Sequence, residues 1–226
     1  TIIERANGEI LIGTSGHGIF LLNVTEGHIE ARQVPGFVPS YLINQIYEDR
    51  NGTLWVITND KGIYSIDTNQ RMTHYPNGRE IVWPSSICED KTGNIYVGCL
   101  KNGLFKYNPQ TNGFTHIKCS SHPELPIKTL YNINQDEIYI GTDGNGMKVY
   151  NIQKGQIMES PVNITSFNFD KSKVHSILKD NQGNIWLGFF QKGVMIVPPV
   201  SNNFKYMGYK SSTHNTIGSC CIMSVC

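Results

Sequence analysis

Ile177-Leu178-Lys179-Asp180-Asn181-Gln182-Gly183-Asn184-Ile185-Trp186-Leu187-Gly188 decides the fold, because the chain writes the same phrase repeatedly. Its second half recurs as Asn7-Gly8-Glu9-Ile10-Leu11-Ile12-Gly13, Asn51-Gly52-Thr53-Leu54-Trp55-Val56-Ile57, Thr92-Gly93-Asn94-Ile95-Tyr96-Val97-Gly98 and Gln135-Asp136-Glu137-Ile138-Tyr139-Ile140-Gly141. A second landmark keeps step: Gly18, Gly62, Gly103, Gly146 and Gly193 each open an apolar run. Both landmarks recur at intervals of 44, 41, 43 and 47 residues. Two independent landmarks with one spacing define an internal repeat.

Each copy reads as four strands. In the second, Leu42–Tyr47 is the first strand, and Glu48-Asp49-Arg50-Asn51-Gly52 turns the chain with a strong Asn-Gly reversal signal. Leu54–Thr58, Ile63–Ile66 and Arg71–Tyr75 follow as the second, third and fourth strands. The second strands are apolar on both faces, so both faces of each small sheet must be covered, and Trp55, Tyr96, Tyr139 and Trp186 are expected at equivalent places, buried between blades. Sheets stacked radially against neighbours achieve this. A period of about 43 residues with four strands per unit marks a propeller, a stacked sandwich being the alternative. A helical solenoid is excluded by the absence of any long helical period. The expected fold class is all-β: a β-propeller of four-stranded antiparallel blades, with five repeats at 1–40, 41–81, 82–127, 128–172 and 173–213. Residues 214–226 are expected to supply the inner strand of a further blade. Ile3 and Cys226 share the phase of Tyr47, Cys88, Tyr131 and Leu178. The chain is therefore expected to be a piece of a longer array.

Composition agrees and excludes several classes. Of 226 residues, 19 are Lys or Arg and 18 Asp or Glu, a net charge of +1 that provides no electrostatic footprint for nucleic acid or an anionic membrane. Only 16% of residues are charged while 22 are Gly, which suits short strands and tight turns rather than long helices. No apolar run approaches the roughly 18 residues of a membrane-spanning helix, and the first residues do not read as a signal peptide. The six cysteines (Cys88, Cys99, Cys119, Cys220, Cys221, Cys226) form no Cys-x-x-Cys pair, so free thiols are expected and no structural zinc. Pairing Cys88 with Ile95 across the turn places Cys99 about 13 Å away, beyond disulfide reach. Asn23, Asn51 and Asn163 begin Asn-x-Ser/Thr triplets, which carry no weight in so Asn-rich a set of turns.

The repeat resembles the two-component regulator propeller repeat: an apolar strand, Glu-Asp, a Gly turn, Ile-Trp-Ile-Gly-Thr, a short turn, and an apolar strand. It stands here as Ile46-Tyr47-Glu48-Asp49-Arg50-Asn51-Gly52-Thr53-Leu54-Trp55-Val56, as Ile87-Cys88-Glu89-Asp90-Lys91-Thr92-Gly93-Asn94-Ile95-Tyr96-Val97-Gly98, and at 177–188. Asp136 departs from the turn Gly, and Ile57, Cys99 and Phe189-Phe190 from the Gly-Thr ending. The resemblance implies part of a seven-bladed propeller in the periplasmic sensor of an inner-membrane-anchored hybrid histidine kinase, binding a glycan fragment to control degradation genes. It implies kinase, receiver and DNA-binding portions elsewhere in the polypeptide, and a homodimer through the whole protein. Streptogramin-lyase propellers are weaker relatives.

Candidate chemistry is sparse. Gly13-Thr14-Ser15-Gly16-His17-Gly18 and Gly141-Thr142-Asp143-Gly144-Asn145-Gly146 imitate nucleotide loops, but a strand follows each where a phosphate site needs a helix N-terminus. Asp143-Gly144-Asn145-Gly146 lacks the later Glu of a calcium loop. His74 and His116 share a phase with Tyr206 in outermost strands, a structural position; His17, His28, His122 and His214 fall in loops without a second ligand. Neither metal, cofactor nor catalytic residue is expected, and no nucleic acid is expected to bind this segment.

One set of residues stands out. Asn44, Ser85, Lys128 and His175 occupy one phase early in the inner strands, where polar side chains ring the mouth of a propeller channel or merely satisfy backbone ends there. The loops before them are the longest and bear Phe37, Tyr41 and Trp83, flat faces for a sugar ring or for packing onto the blades, with Lys101 or Lys128 near for acidic groups. Asn44, Trp83, Ser85, Lys128 and His175 are the expected ligand-binding residues, the partner being an oligosaccharide or similar small molecule. An enzyme would need an acid–base pair at this end, and His175 with Glu124 is the only pairing the sequence suggests; a protein-interaction scaffold would use the same faces without a pocket.

Overall fold

The computed structural model describes residues 1–25, 28–36, 42–78, 81–119, 124–160, 162 and 169–199, with the backbone of 205–207. Its strands form five four-stranded antiparallel sheets, each following chain order, the blades of a β-propeller. Contacts group the chain into two compact units, Thr1–His116 and Ile117–Cys226.

The first unit holds three blades. Blade 1 is β1 (Ile2–Glu4), β2 (Ile10–Gly13), β3 (Ile19–Thr25) and β4 (His28–Gln33); blade 2 is β5 (Ile43–Glu48), β6 (Leu54–Thr58), β7 (Gly62–Ile66) and β8 (Met72–Pro76). Blade 3 is β9 (Pro84–Glu89), β10 (Ile95–Cys99), β11 (Gly103–Asn108) and β12 (Gly113–Ile117). Every residue of β6 and β10 is buried, as strands apolar on both faces require. Leu11, Ile43, Leu54, Val56 and Tyr64 fill the seam between blades 1 and 2; Trp55, Ile57, Ile87, Val97 and Phe105 fill the next. The second unit holds blade 4, made of β13 (Ile127–Asn132), β14 (Glu137–Thr142), β15 (Met147–Asn151) and β16 (Gln156–Glu159). Blade 5 is β17 (Val174–Lys179), β18 (Ile185–Phe189), β19 (Gly193–Val197) and β20 (Lys205–Met207). Met147, Val149, Val174, Leu187 and Phe189 pack the seam between them.

The Asp of the repeated motif builds the turn into the second strand. Asp49 Oδ1 accepts the backbone N–H of Asn51 and Thr53, both at 2.9 Å, while Oδ2 accepts Trp55 Nε1–H at 2.9 Å. Asp90 repeats this on Thr92, Asn94 and the Tyr96 hydroxyl, and Asp180 on Gln182, Asn184 and Trp186 Nε1. The glycine inside each turn lies in the left-handed region, at φ +77° for Gly52, +93° for Gly93 and +83° for Gly183. Blade 4 has Ile133 at the Asp phase, and Asn134 accepts the Asp136 N–H there instead.

Two expectations need correction. Cys88 pairs with Tyr96, not Ile95, because Asp90 is itself part of the turn, donating its N–H to Asn94, and the strands meet at Glu89 and Ile95. Cys99 therefore pairs opposite Pro84, still four residues along the strand from Cys88, and both thiols are free. Of the four equivalent aromatics, Trp55, Tyr96 and Tyr139 are buried, but Trp186 is only half-buried. Tyr107 and Phe114 of blade 3 cover Trp55, and no such rings cover Trp186 among the described residues. His74 stacks on Tyr64 and His116 lies tilted against Phe105, as outermost-strand residues. Phe37, Tyr41, His122 and the expected strand at 214–226 lie outside the described residues, as do Cys220, Cys221, Cys226 and His214.

Candidate functional site

The inner strands of blades 2 to 5 share one irregularity. In β5, Ile43 pairs with Thr58 and Gln45 with Ile57, so Asn44 is an extra residue: a β-bulge. Ser85 is the extra residue of β9, Lys128 of β13 and His175 of β17. A bulge re-aims the side chain it inserts and breaks the ladder locally, so these four side chains leave the regular alternation of their strands. The residue before each bulge pair is tied to the residue just after the second strand by one recurrent bond. Asn59 donates to Leu42 at 2.9 Å, Leu100 to Trp83 at 2.9 Å, Asp143 to Pro126 at 2.8 Å and Phe190 to Lys173 at 3.0 Å.

In the first unit this scaffold presents Trp83, 51% exposed. Its φ is +55°, a conformation unusual for a bulky residue and maintained here by two backbone bonds. Trp83 N–H donates to Asn77 Oδ1 at 3.0 Å, and its carbonyl accepts from Leu100. Lys101 Nζ lies 5.8 Å from the ring centroid, a cation–π distance. Nearby, Asn44 Nδ2 donates to Pro84 O at 3.1 Å and Ser85 Oγ to Gly98 O at 3.0 Å. Both polar side chains thus satisfy backbone at the sheet ends, while Asn44 itself stays exposed.

The second unit gathers a charged cluster. Asp143 Oδ1 meets Lys173 Nζ at 3.0 Å and His175 Nε2 at 3.4 Å. Phe190 forms a flat wall, its ring 5.1 Å from the imidazole and 5.6 Å from Lys173 Nζ. Burial pushes the His175 pKa below its ordinary value, with the positive charges of Lys128 and Lys173 acting the same way against Asp143. The ring is accordingly neutral at pH 7. Burial raises the Asp143 carboxyl, but the bonds from Lys173 and His175 outweigh it and leave the group below its usual range. The cluster offers two ammonium groups, a carboxylate, a neutral imidazole and an aromatic face to a ligand. Among the described residues no group of three or more His, Cys, Asp or Glu side chains is placed to hold a metal.

The five expected ligand residues thus fall where the inner strands begin, Asn44, Trp83 and Ser85 in one unit, Lys128 and His175 in the other. The acid beside His175 is Asp143, not Glu124. Asp143, Lys173 and Phe190 were not anticipated. Their signal lies in the repeat: Asp143 and Phe190 share the phase of Asn59 and Leu100, and Lys173 that of Trp83.

The chain carries the two-component regulator propeller repeat, whose family model matches residues 38–60 and 168–191. No curated protein matches the sequence. Among solved structures, it is similar to the extracellular domain assigned to the hybrid two-component system BT4673 of B. thetaiotaomicron, with 19% identity, a TM-score of 0.72, and coverage of 99% of this chain and 35% of that one. The extracellular domain assigned to the hybrid two-component system BT3049 of the same organism gives 15% identity, a TM-score of 0.60, and coverage of 98% and 36%. A catalytically inactive virginiamycin B lyase from Staphylococcus aureus, solved with quinupristin, gives 15% identity, a TM-score of 0.70, and coverage of 95% and 70%. At these identities the likeness shows the fold. The chain spans about a third of the length of the two-component ectodomains. No helix among the described residues is long and apolar enough to cross a membrane.

Proposed function

We propose that this chain, built of two-component regulator propeller repeats, is a ligand-sensing part of the extracellular portion of a membrane-anchored two-component regulator. Its ligand is a glycan fragment or similar polar small molecule, held where the inner strands begin, and its output is transcription of degradation genes through domains elsewhere in the polypeptide. The observation that supports this most is the bulge repeated at Asn44, Ser85, Lys128 and His175. A scaffold that inserts a polar residue at one place in four successive inner strands, beside an exposed Trp83 in a costly backbone conformation, spends stability on side-chain direction. A sugar needs hydrogen-bonding groups and a flat apolar face together, and both units offer that combination. The ectodomains of hybrid two-component systems that share the fold favour the sensory role over the lyase one.

Calorimetric titration with a panel of neutral and acidic oligosaccharides tests it, using the intact chain and its Trp83→Ala and Lys128→Ala variants. Saturable binding without turnover, weakened in at least one variant, supports the reading. Turnover of any panel member favours an enzyme, and affinity equal in all three proteins removes these residues from the site.

A further inference from the structure

A cavity of about 400 Å³ opens in the seam between blades 2 and 3, at the other end of the blades from Trp83 and Asn44. It is bounded by the turns that follow β5 and β7 and by the β11–β12 turn. Its origin is a change at two repeat positions. Across blade 2, Trp55 pairs with Ser65 and Ser65 with Thr73, so the three side chains share one face. The same register in blade 4 reads Tyr139, Val149 and Met158, with Val149 1% exposed in the core. Two short hydroxyl residues stand in blade 2 where blade 4 fills its surface with apolar carbon. Ser65 is 8% exposed and lines the cavity, with its hydroxyl-bearing side chain on the wall. A hydroxyl on a cavity wall can both donate to and accept from a hydroxylated guest, or hold the water that such a guest displaces.

The walls are fixed before any guest arrives. Asn112 Oδ1 accepts both the Tyr75 hydroxyl at 2.7 Å and the Tyr107 hydroxyl at 2.9 Å, and the Tyr107 ring stands edge-on to Trp55 at 5.0 Å. At the rim, Asp67 uses Oδ1 for the N–H groups of Asn69 and Arg71, leaving its second oxygen unclaimed. The exposed Arg71 guanidinium has no partner among the described residues. The lining sets Asp49 and Asp67 against Arg71 alone, an excess of negative charge that disfavours an anion. Donors and acceptors interspersed around aromatic walls suit vicinal hydroxyls on a ring.

We propose that this cavity is a separate binding site for a neutral, hydroxyl-rich ring molecule of monosaccharide size. It goes beyond the sensory reading, because it lies at the opposite blade ends and uses none of the same residues. The three tryptophans separate the two ideas: Trp55 reports the cavity, Trp83 the inner-strand end, and Trp186 neither. The experiment follows the three indole N–H signals of the ¹⁵N-labelled 226-residue chain during titration with D-glucose, D-galactose, D-mannose and N-acetyl-D-glucosamine, with D-glucuronate as the charged comparison. At least one neutral sugar should shift the Trp55 signal saturably while Trp83 stays still. The double variant Ser65→Val/Thr73→Met, which installs the blade 4 residues, should abolish the shift without lowering the melting temperature. Arg71→Ala, at an exposed rim position, should weaken binding at least about tenfold through loss of a charged hydrogen bond and decides the matter should the double variant not fold. The proposal is overturned if no neutral sugar moves Trp55, if D-glucuronate binds more tightly than all of them, or if the folded double variant still binds. Movement of Trp83 alone would uphold the inner-strand site and reject this one.

Discussion

Asp90→Ala tests how the repeat holds itself together. Asp90 is 2% exposed and accepts the Thr92 and Asn94 N–H groups at 2.8 and 3.0 Å, plus the hydroxyl of Tyr96, a residue with 0% exposure, at 3.1 Å. Removing the carboxylate takes this hydrogen bond from a buried hydroxyl, at about 1–3 kcal/mol. The two backbone groups sit in a turn that water reaches, so their loss adds only about 1 kcal/mol. The expected destabilisation is about 3 kcal/mol, a fall in melting temperature of roughly 10 °C for a chain of this size. Burial raises the Asp90 carboxyl, but bonds from Asn94 and Thr92 outweigh it and hold its pKa below the ordinary value. A depressed folded-state pKa stabilises fully above the unfolded value of about 3.9 and is lost as pH falls through the folded value. The gap between the two proteins should therefore be constant from about pH 5 to 7 and shrink below about pH 4. Urea unfolding followed by tryptophan fluorescence at several pH values measures both. A cost under about 1 kcal/mol at pH 7, or a gap that persists undiminished in acid, would refute this account of the turn.

Trp55→Ala should cost about 3–5 kcal/mol and Trp186→Ala clearly less, because only Trp55 is enclosed by a neighbouring blade; thermal melts of the two variants rank them. Cys88 and Cys99 should resist alkylation in the native protein at pH 8 and react after unfolding, since burial raises both thiols, Cys99 to about 12; peptide mass spectrometry reads each site. Gly62→Ala should destabilise by at least about 2 kcal/mol, because the backbone there has φ +96° and the new Cβ would lie 2.2 Å from Tyr75 O. Equilibrium unfolding that shows no loss would contradict the strand-pairing geometry.

The sequence alone determined the blade. Strand order, the turns and the core aromatics Trp55, Tyr96 and Tyr139 follow from contiguous residues, since an Asp reaching its own backbone two and four residues on, and a glycine at positive φ, are local chemistry. That is why Asp49, Asp90 and Asp180 were legible in the Glu-Asp and Lys-Asp pairs, and why Trp55 and Tyr96 were recognisable as core. Tertiary structure decided where the chemistry gathers. The bulges that re-aim Asn44, Ser85, Lys128 and His175 exist only relative to a partner strand, so periodicity marked their phase without their direction. Asp143 reaches His175 and Lys173 from another blade, 32 residues from the histidine in sequence, and no local pattern pairs them. The cavity depends on Ser65 and Thr73 lying beside Trp55 across two strand pairings and facing Tyr107 of the next blade. Turn chemistry acts over a few residues and leaves its mark in the sequence, whereas the shape and charge of a site arise when distant segments are pressed together.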